Sequence, residues 1–136
     1  MSAAVFVDTN ILLYADDKSV PAKRKRAQEL IREVFRARTG WLSLQVLQEY
    51  FVIATKKVGL NAEFARRRVE LYSRWNIAVL SPADVLGAID LHRLYQLSIW
   101  DALIVRAALI SGCRKLYSED MQAGFRIERL EIINPF

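Results

Sequence analysis

An uninterrupted apolar run at the start of the chain constrains the fold more than any other feature. Residues 3–7 are apolar at every position, with no alternation of polar side chains, and Asp8 follows them directly. A strand with this pattern is buried on both faces, which is typical of a parallel sheet covered by helices on either side. The run therefore predicts an α/β fold with this strand at its centre.

The remainder of the chain alternates between helical and strand patterns. Further short strands are predicted at residues 41–43, 76–80 and 115–118, with an edge strand at 127–133. Predicted helices separate them: a short one at 11–15, one from Pro21 to Gly40, one at 44–58, and one capped by Asn61. Two more begin at Ser81 and Ser98 in similar capping sequences. The pattern predicts a single domain over residues 1–136, a three-layer α/β/α fold with a mainly parallel central sheet.

The scarcity of cysteine and histidine limits the chemistry that the chain can perform. Among 136 residues there is one cysteine, Cys113, and one histidine, His92. This excludes an internal disulfide framework and metal sites built from several cysteines or histidines. No apolar run is long enough to span a membrane, and the start of the sequence lacks a basic leader. We therefore expect a cytoplasmic protein without a membrane partner, whose chemistry rests on carboxylates or hydroxyls.

Positive charge is concentrated in one part of the chain. Between Lys18 and Arg74 there are 14 basic and 5 acidic residues, whereas the rest has 6 basic and 10 acidic ones. A basic part beside an acidic part suits a polyanionic partner held next to a cation site. The alternative is that the basic residues only solvate one helix face. Candidates for RNA contacts are Lys56, Lys57, Arg66, Arg67 and Arg68.

Acidic residues follow or adjoin the predicted strand ends where α/β proteins bind ligands. Asp8 ends the first strand, Asp120 follows the strand at 115–118, and Asp101 begins the helix that leads into that strand. Glu49 lies one turn into its own helix, on the same polar stripe as Gln45. Each acid also has a purely structural interpretation. Asp8 could cap a helix, Glu49 could form a surface ion pair, Asp101 could complete a capping box, and Asp120 could be a turn residue.

Taken together, these four acids indicate a metal site. Two carboxylates ~4 Å apart repel each other by about 4 kcal/mol at an effective dielectric constant of about 20. Such a group is stable only with raised pKa values or a bound cation. Oxygen ligands without histidine or cysteine favour Mg²⁺ or Mn²⁺ over zinc. A cation of this kind can activate water against phosphorus, so the acids and the basic part together predict phosphodiester hydrolysis.

Several segments of the sequence also resemble a known family. The residues 7–15 (VDTNILLYA), Glu49, 98–104 (SIWDALI) and 117–121 (YSEDM) resemble PIN-domain ribonucleases, in particular the VapC-type toxins of prokaryotic toxin–antitoxin pairs. The resemblance extends over essentially the whole chain. It implies a metal site formed by Asp8, Glu49, Asp101 and Asp120, with Asn10 and Ser118 orienting water, ligands or phosphate from behind it. Glu119 is the alternative to Asp120 as the fourth ligand.

The resemblance implies an Mg²⁺- or Mn²⁺-dependent endoribonuclease that acts on RNA such as tRNA or ribosomal RNA. It also implies a homodimer and a cognate antitoxin protein. Three alternatives remain: a PIN-fold nuclease of RNA processing, an RNA-binding module without catalysis, and a phosphoacceptor receiver domain. A receiver domain would require an acidic pair after the first strand, whereas Thr9 follows Asp8, and an acceptor aspartate after a central strand, whereas residues 77–80 lead into Ser81.

Overall fold

Six strands form one sheet in the computed structural model, which describes residues 3–136. The first two residues of the predicted domain lie outside this range. The strands are β1 (Val5–Val7), β2 (Gly40–Ser43), β3 (Asn76–Ala78), β4 (Lys115–Tyr117), β5 (Arg126–Ile127) and β6 (Leu130–Ile133). The helices are α1 (Thr9–Tyr14), α2 (Pro21–Ala37), α3 (Leu44–Lys56), α4 (Ala62–Tyr72), α5 (Pro82–Tyr95) and α6 (Ile99–Ile110).

The strand order places β1 at the centre of the sheet. The order is β3-β2-β1-β4-β6-β5, and every neighbouring pair is parallel except β5 with β6. The five parallel strands therefore follow the order 3-2-1-4-5 when numbered along the chain. A receiver domain has the doubly wound order 2-1-3-4-5. The topology thus removes the receiver alternative and confirms the mainly parallel sheet.

The direction of the chain across the sheet reverses once, and this separates the helices into two layers. From β1 to β3 the chain moves toward one edge through α1–α4, and α5 and α6 then carry it back to β4. Because crossovers between parallel strands are right-handed, a reversal moves the connecting helices to the opposite face. The helices α5 and α6 pack against each other, while α1 contacts α2 and α3, and α3 contacts α4. The three-layer prediction is confirmed.

The central strand is buried as its apolar sequence predicts. Phe6 and Val7 are fully buried and Val5 is nearly so. Leu116 of β4 and Leu42 of β2 flank them and are also fully buried. Within residues 3–136 no helix combines the length and apolar character needed to span a membrane.

The predicted end of the second helix at Gly40 is wrong. The helix α2 ends at Ala37, and Arg38 takes a left-handed conformation (φ 57°) as its C-cap. Gly40 instead begins β2, where its backbone is buried and pairs with Val5. The physical reason for glycine here is a close approach, since a Cβ atom would lie 2.6 Å from the Trp75 ring.

We expect Gly40→Ala to lower the free energy of unfolding by about 1–3 kcal/mol, the usual cost of overpacking. The added carbon would lie 2.6 Å from both the Trp75 ring and Cγ1 of Val34, two groups that are packed in the core. Urea unfolding measures the change. Gly87→Ala is the matched control, because its added carbon meets only the movable end of the Arg106 side chain. An equal or larger loss in the control would contradict the explanation.

The single edge strand predicted at 127–133 is also wrong, because the chain turns within it. A tight turn at Glu128 (φ 55°) and Arg129 separates β5 from β6. The buried residues Ile127 and Leu130 therefore face each other across a hairpin instead of lying along one strand. The strand β6 lies inside the sheet against β4, and β5 forms the edge. Smaller differences are that β3 ends at Ala78 and α3 at Lys56.

Candidate active site

The site lies where the direction of the chain reverses, between the carboxyl ends of β1 and β4. These strands are neighbours, with Val7 opposite Tyr117. The backbone N–H of Asp8 donates to the carbonyl of Tyr117 at 2.9 Å, so the ladder continues one residue beyond β1. Asp8 and Ser118, which are 110 residues apart in sequence, are thereby placed side by side. This is the position at which open α/β sheets bind ligands.

Asp8 is held by three donors in a buried position. Its side chain accepts hydrogen bonds from the Thr9 backbone N–H at 2.7 Å, the Ser118 hydroxyl at 2.8 Å and the Asn10 amide at 3.2 Å. The first of these caps α1, so Asp8 is a helix cap, as its structural interpretation predicts. The other two fix the second oxygen of the carboxylate. Asp8 is only 5% exposed.

Asn10 links the segment after β1 to the segment after β4 within the site. Its amide nitrogen lies within hydrogen-bonding distance of Asp8, of Ser118 at 3.4 Å and of Asp120 at 3.0 Å. Its carbonyl oxygen accepts from the backbone N–H of Glu119 at 3.2 Å. The structure thus brings both predicted supporting residues, Asn10 and Ser118, into contact with the acids.

Glu49 reaches the site from α3 and is fixed by two residues that the sequence analysis did not select. The Thr9 hydroxyl donates to one carboxylate oxygen at 2.8 Å, and the Gln45 amide lies 3.4 Å from the other. Gln45 also donates to the carbonyl of Trp100 at 3.1 Å, which links α3 to the start of α6. The available signals were the position of Thr9 directly after Asp8 and the placement of Gln45 one helical turn before Glu49.

Asp101 and Asp84 have the same local sequence position but different surroundings. Asp84 completes a reciprocal capping box with Ser81 and pairs with Arg106 at 3.0 Å. At α6 the Ser98 hydroxyl accepts from the backbone N–H of Asp101 and lowers the pKa of the Asp101 carboxylate by hydrogen bonding, but within residues 3–136 no reciprocal capping box is formed there. The neighbouring charges at Asp101 are the acids Asp120 and Glu49, whereas the carboxylate of Asp84 is held by Ser81 and Arg106.

Neighbouring acids contribute to raising the pKa of both Asp8 and Asp101. Burial raises the pKa of Asp8 to about 7, and the negative charges of Asp101 and Glu49 add to this effect, against the lowering by hydrogen bonds from Ser118 and Thr9. The pKa of Asp101 is raised first by burial and then by Asp120 and Glu49, against the lowering by a hydrogen bond from Ser98. Carboxylates from four separate segments thus oppose one another's charge, as expected for a site that a cation completes.

The candidate metal ligands have the chemistry that a hard divalent cation prefers. All are carboxylate oxygens, with neutral hydroxyl and amide groups behind them, which is the set that Mg²⁺ or Mn²⁺ prefers. Among residues 3–136, however, no group of three or more His, Cys, Asp or Glu side chains has the arrangement of a ready metal site. The acids are instead bridged by neutral donors: Asn10 connects Asp8 with Asp120, and Thr9 holds Glu49.

The remaining candidates lie away from these acids. Glu119 faces α1 and α2, and Lys23 and Tyr14 lower its pKa by hydrogen bonding to it. Of the candidate RNA contacts, Arg68 pairs with Asp16 at 3.0 Å and packs over the Phe64 ring. The other four are exposed, on α4 and at the end of α3: Lys56, Lys57, Arg66 and Arg67.

Comparison with known proteins identifies the family. The family model for the PIN domain matches residues 5–126. A toxin–antitoxin complex from Klebsiella pneumoniae superimposes with a TM-score of 0.71 and 23% identity, covering 98% of each chain. The Mycobacterium tuberculosis toxin VapC20, described as cleaving the sarcin-ricin loop, superimposes with a TM-score of 0.67 and 17% identity, covering 86% of this chain and 90% of its own. Sequence comparison with curated proteins finds no match. The chain belongs to the PIN domain family.

Proposed function

We propose that this protein is a metal-dependent endoribonuclease and the toxin of a toxin–antitoxin pair. The observation that carries the proposal is the arrangement of four acids from distant segments at the reversal point of the sheet: Asn10 bridges Asp8 and Asp120, Thr9 holds Glu49, and Asp101 contributes to raising the pKa of Asp8. Membership of the PIN family and the likeness to two toxin structures agree with it. Mg²⁺ or Mn²⁺ is the proposed cofactor.

The side chains have separate roles in this mechanism. Asp8, Asp101 and Asp120 would hold the cation, and Glu49 would complete the set. When bound, the cation lowers the pKa of water and offsets negative charge on the phosphate. Ser118 donates a hydrogen bond to Asp8 and so keeps that carboxylate oriented toward the site.

Asn10 and Thr9 supply neutral donors where a further acid would add repulsion. Asn10 donates to Asp120 and to Asp8, and Thr9 donates to Glu49, so three carboxylates keep their positions while the charge between them is not yet compensated. Groups that orient metal ligands in this way commonly change metal affinity or activity 10–100-fold, that is about one to two orders of magnitude, when removed.

The proposed partners follow from charge and from the neighbouring structures. The basic residues between Lys18 and Arg74 suit RNA, and Arg66 and Arg67 are exposed candidates for phosphate contacts. One of the similar structures is a toxin–antitoxin complex, which supports a cognate antitoxin protein as a partner. Structured RNA such as tRNA or ribosomal RNA is the proposed substrate class, and the cytoplasm is the proposed location.

We also propose a homodimer. Exposed apolar side chains are concentrated on α5, where Val85, Leu86 and Ile89 are 41%, 65% and 37% exposed. Trp100, at the start of the adjacent α6, is 63% exposed. Apolar side chains exposed on two helices that pack against each other are candidates for a protein interface. Sedimentation equilibrium of the wild type should give twice the mass of the 15.6 kDa chain.

The test is incubation of the purified protein with pooled tRNA and ribosomal RNA. We expect discrete cuts with Mg²⁺ or Mn²⁺ and none when EDTA removes the cation, because the uncompensated carboxylates alone repel the phosphate backbone. Sequencing of the new RNA ends locates the cuts. Removal of metal is thus expected to reduce cleavage to background.

The same experiment separates the alternatives. A shift of the RNA in gel electrophoresis, with no cleavage in the presence of any tested cation, would favour an RNA-binding module without catalysis. Equal cleavage with and without EDTA would contradict metal dependence. A nuclease of RNA processing would trim one precursor and leave growth unaffected on expression, whereas a toxin should arrest growth until its antitoxin is co-expressed.

A further inference from the structure

The side chain of Glu119 points away from the acids and is held by two helices. The Tyr14 hydroxyl at the end of α1 donates to one carboxylate oxygen at 2.5 Å, and the Lys23 ammonium in α2 lies 2.6 Å from the other. Lys23 also lies over the Tyr14 ring, 4.9 Å from its centroid. We call Tyr14, Lys23 and Glu119 the Glu119 clamp.

Side chains on either side of Glu119 point into the site. Ser118 donates to Asp8 at 2.8 Å, and Asp120 accepts from Asn10 at 3.0 Å. The backbone N–H of Glu119 itself donates to Asn10. The three consecutive residues 118–120 are therefore fixed from two sides, by the acid site and by the clamp.

Asp120 needs such support because little else holds it. It is exposed, and among residues 3–136 its side chain forms a hydrogen bond only with Asn10. The chain after it turns through exposed residues 122–124 before β5 begins. Met121 is buried and anchors the far side of Asp120. The clamp is the corresponding anchor on the near side.

We propose that Glu119 is a positioning residue that, through Tyr14 and Lys23, sets Asp120 in place for the cation, and is not itself a ligand. The proposal rests on the proposed function, since it assigns a role within the same site. Sequence order alone leaves Glu119 and Asp120 as alternatives for the fourth acid. The clamp resolves the choice because it occupies both oxygens of Glu119 with partners outside the site.

The test measures the stabilisation of the protein by Mg²⁺, which requires no RNA. Thermal unfolding is followed across an Mg²⁺ titration for wild type, Tyr14→Phe, Lys23→Met and Glu119→Ala. We expect each variant to need roughly tenfold more Mg²⁺ than wild type to reach the same stabilisation, as found for groups that orient metal ligands. At high Mg²⁺ the stabilisation of each variant should still rise by the same amount per tenfold increase in Mg²⁺ as that of wild type, since all four ligands are still present.

Two matched controls and one combination sharpen the result. Tyr95→Phe and Lys25→Met make the same chemical changes outside the clamp and should leave the titration unchanged. The double variant Glu119→Ala with Lys23→Met should need no more Mg²⁺ than Glu119→Ala alone, because residues acting through one contact are not additive. Additive shifts would show that Lys23 acts through general charge and would overturn the proposal.

Other outcomes also decide the matter. Complete loss of Mg²⁺ stabilisation in Glu119→Ala, with Tyr14→Phe unchanged, would make Glu119 a ligand and overturn the proposal. Lower stability of the clamp variants with unshifted Mg²⁺ titrations would leave only a structural role and overturn it too. Wild type that cleaves RNA with Mg²⁺ while the variants titrate normally refutes the clamp alone. Wild type that is stabilised by Mg²⁺ but cuts no RNA refutes the proposed nuclease function alone.

Discussion

We expect the stability of metal-free Asp8→Asn relative to wild type to increase by about 2–4 kcal/mol between about pH 4 and pH 8. Burial and the neighbouring acids raise the pKa of Asp8 from 3.8 to about 7 in the folded chain. Between these values the folded chain binds a proton that the unfolded chain has lost, so stability falls as pH rises. The full penalty is present above about pH 7, and asparagine does not carry it.

Urea unfolding of both proteins in EDTA over this pH range measures the effect. Asp90→Asn serves as the control, because it makes the same chemical change at an exposed residue of α5. A wild-type to Asp8→Asn difference that stays constant from about pH 4 to pH 8 would contradict the assigned pKa. Mg²⁺ added at the upper end should reduce the gain, since only the aspartate can use the cation.

We expect Asp101→Asn to lower single-turnover RNA cleavage by at least about a hundredfold without loss of fold. Removal of one preorganised group that stabilises charge in an enzyme site typically costs about two to three orders of magnitude in rate. The substitution keeps the volume of the side chain and removes the charge that burial, Asp120 and Glu49 already oppose. Unfolding by urea should show stability equal to or above that of wild type.

The matched control is Asp84→Asn, at the same position after a serine N-cap. Asp84 stabilises its own helix through Ser81 and pairs with Arg106, so this variant should lose stability and keep its cleavage rate when folded. The two variants are thus expected to show opposite patterns. If both lost activity equally, the site would not depend on Asp101 in particular.

The features of the fold that depend on local chemistry were predictable from sequence. The apolar residues 3–7 implied a strand buried on both faces, and Phe6 and Val7 are fully buried. Asn61 and Ser81 cap the helices as expected, since these caps need only a side-chain oxygen and the next turn of backbone. The errors occurred at Gly40 and in the β5–β6 hairpin, where a distant ring and a tight turn decide the structure.

The candidate site was also predictable only in part from the sequence. The four acids could be selected from sequence because three of them follow or adjoin predicted strand ends and the motifs that resemble the family include all four. The contacts of Thr9 with Glu49 and of Gln45 with Trp100 could not, because they depend on how α3 packs against α1 and α6. Arg68 was grouped with its neighbours Arg66 and Arg67, yet it pairs with Asp16, 52 residues earlier in the chain.

The most direct test of the account is a chemical analysis of one cut bond. The substrate is one RNA site located by the incubation with pooled tRNA and ribosomal RNA. It is exposed to the protein under single-turnover conditions in Mg²⁺, in EDTA, and in EDTA followed by excess Mg²⁺. The new RNA ends are identified by mass spectrometry. We predict cleavage only when the cation is present, with linear phosphate ends, because water and not the ribose 2′-hydroxyl attacks phosphorus. Cleavage that persists in EDTA and leaves a cyclic phosphate would contradict the carboxylate site as the origin of the activity.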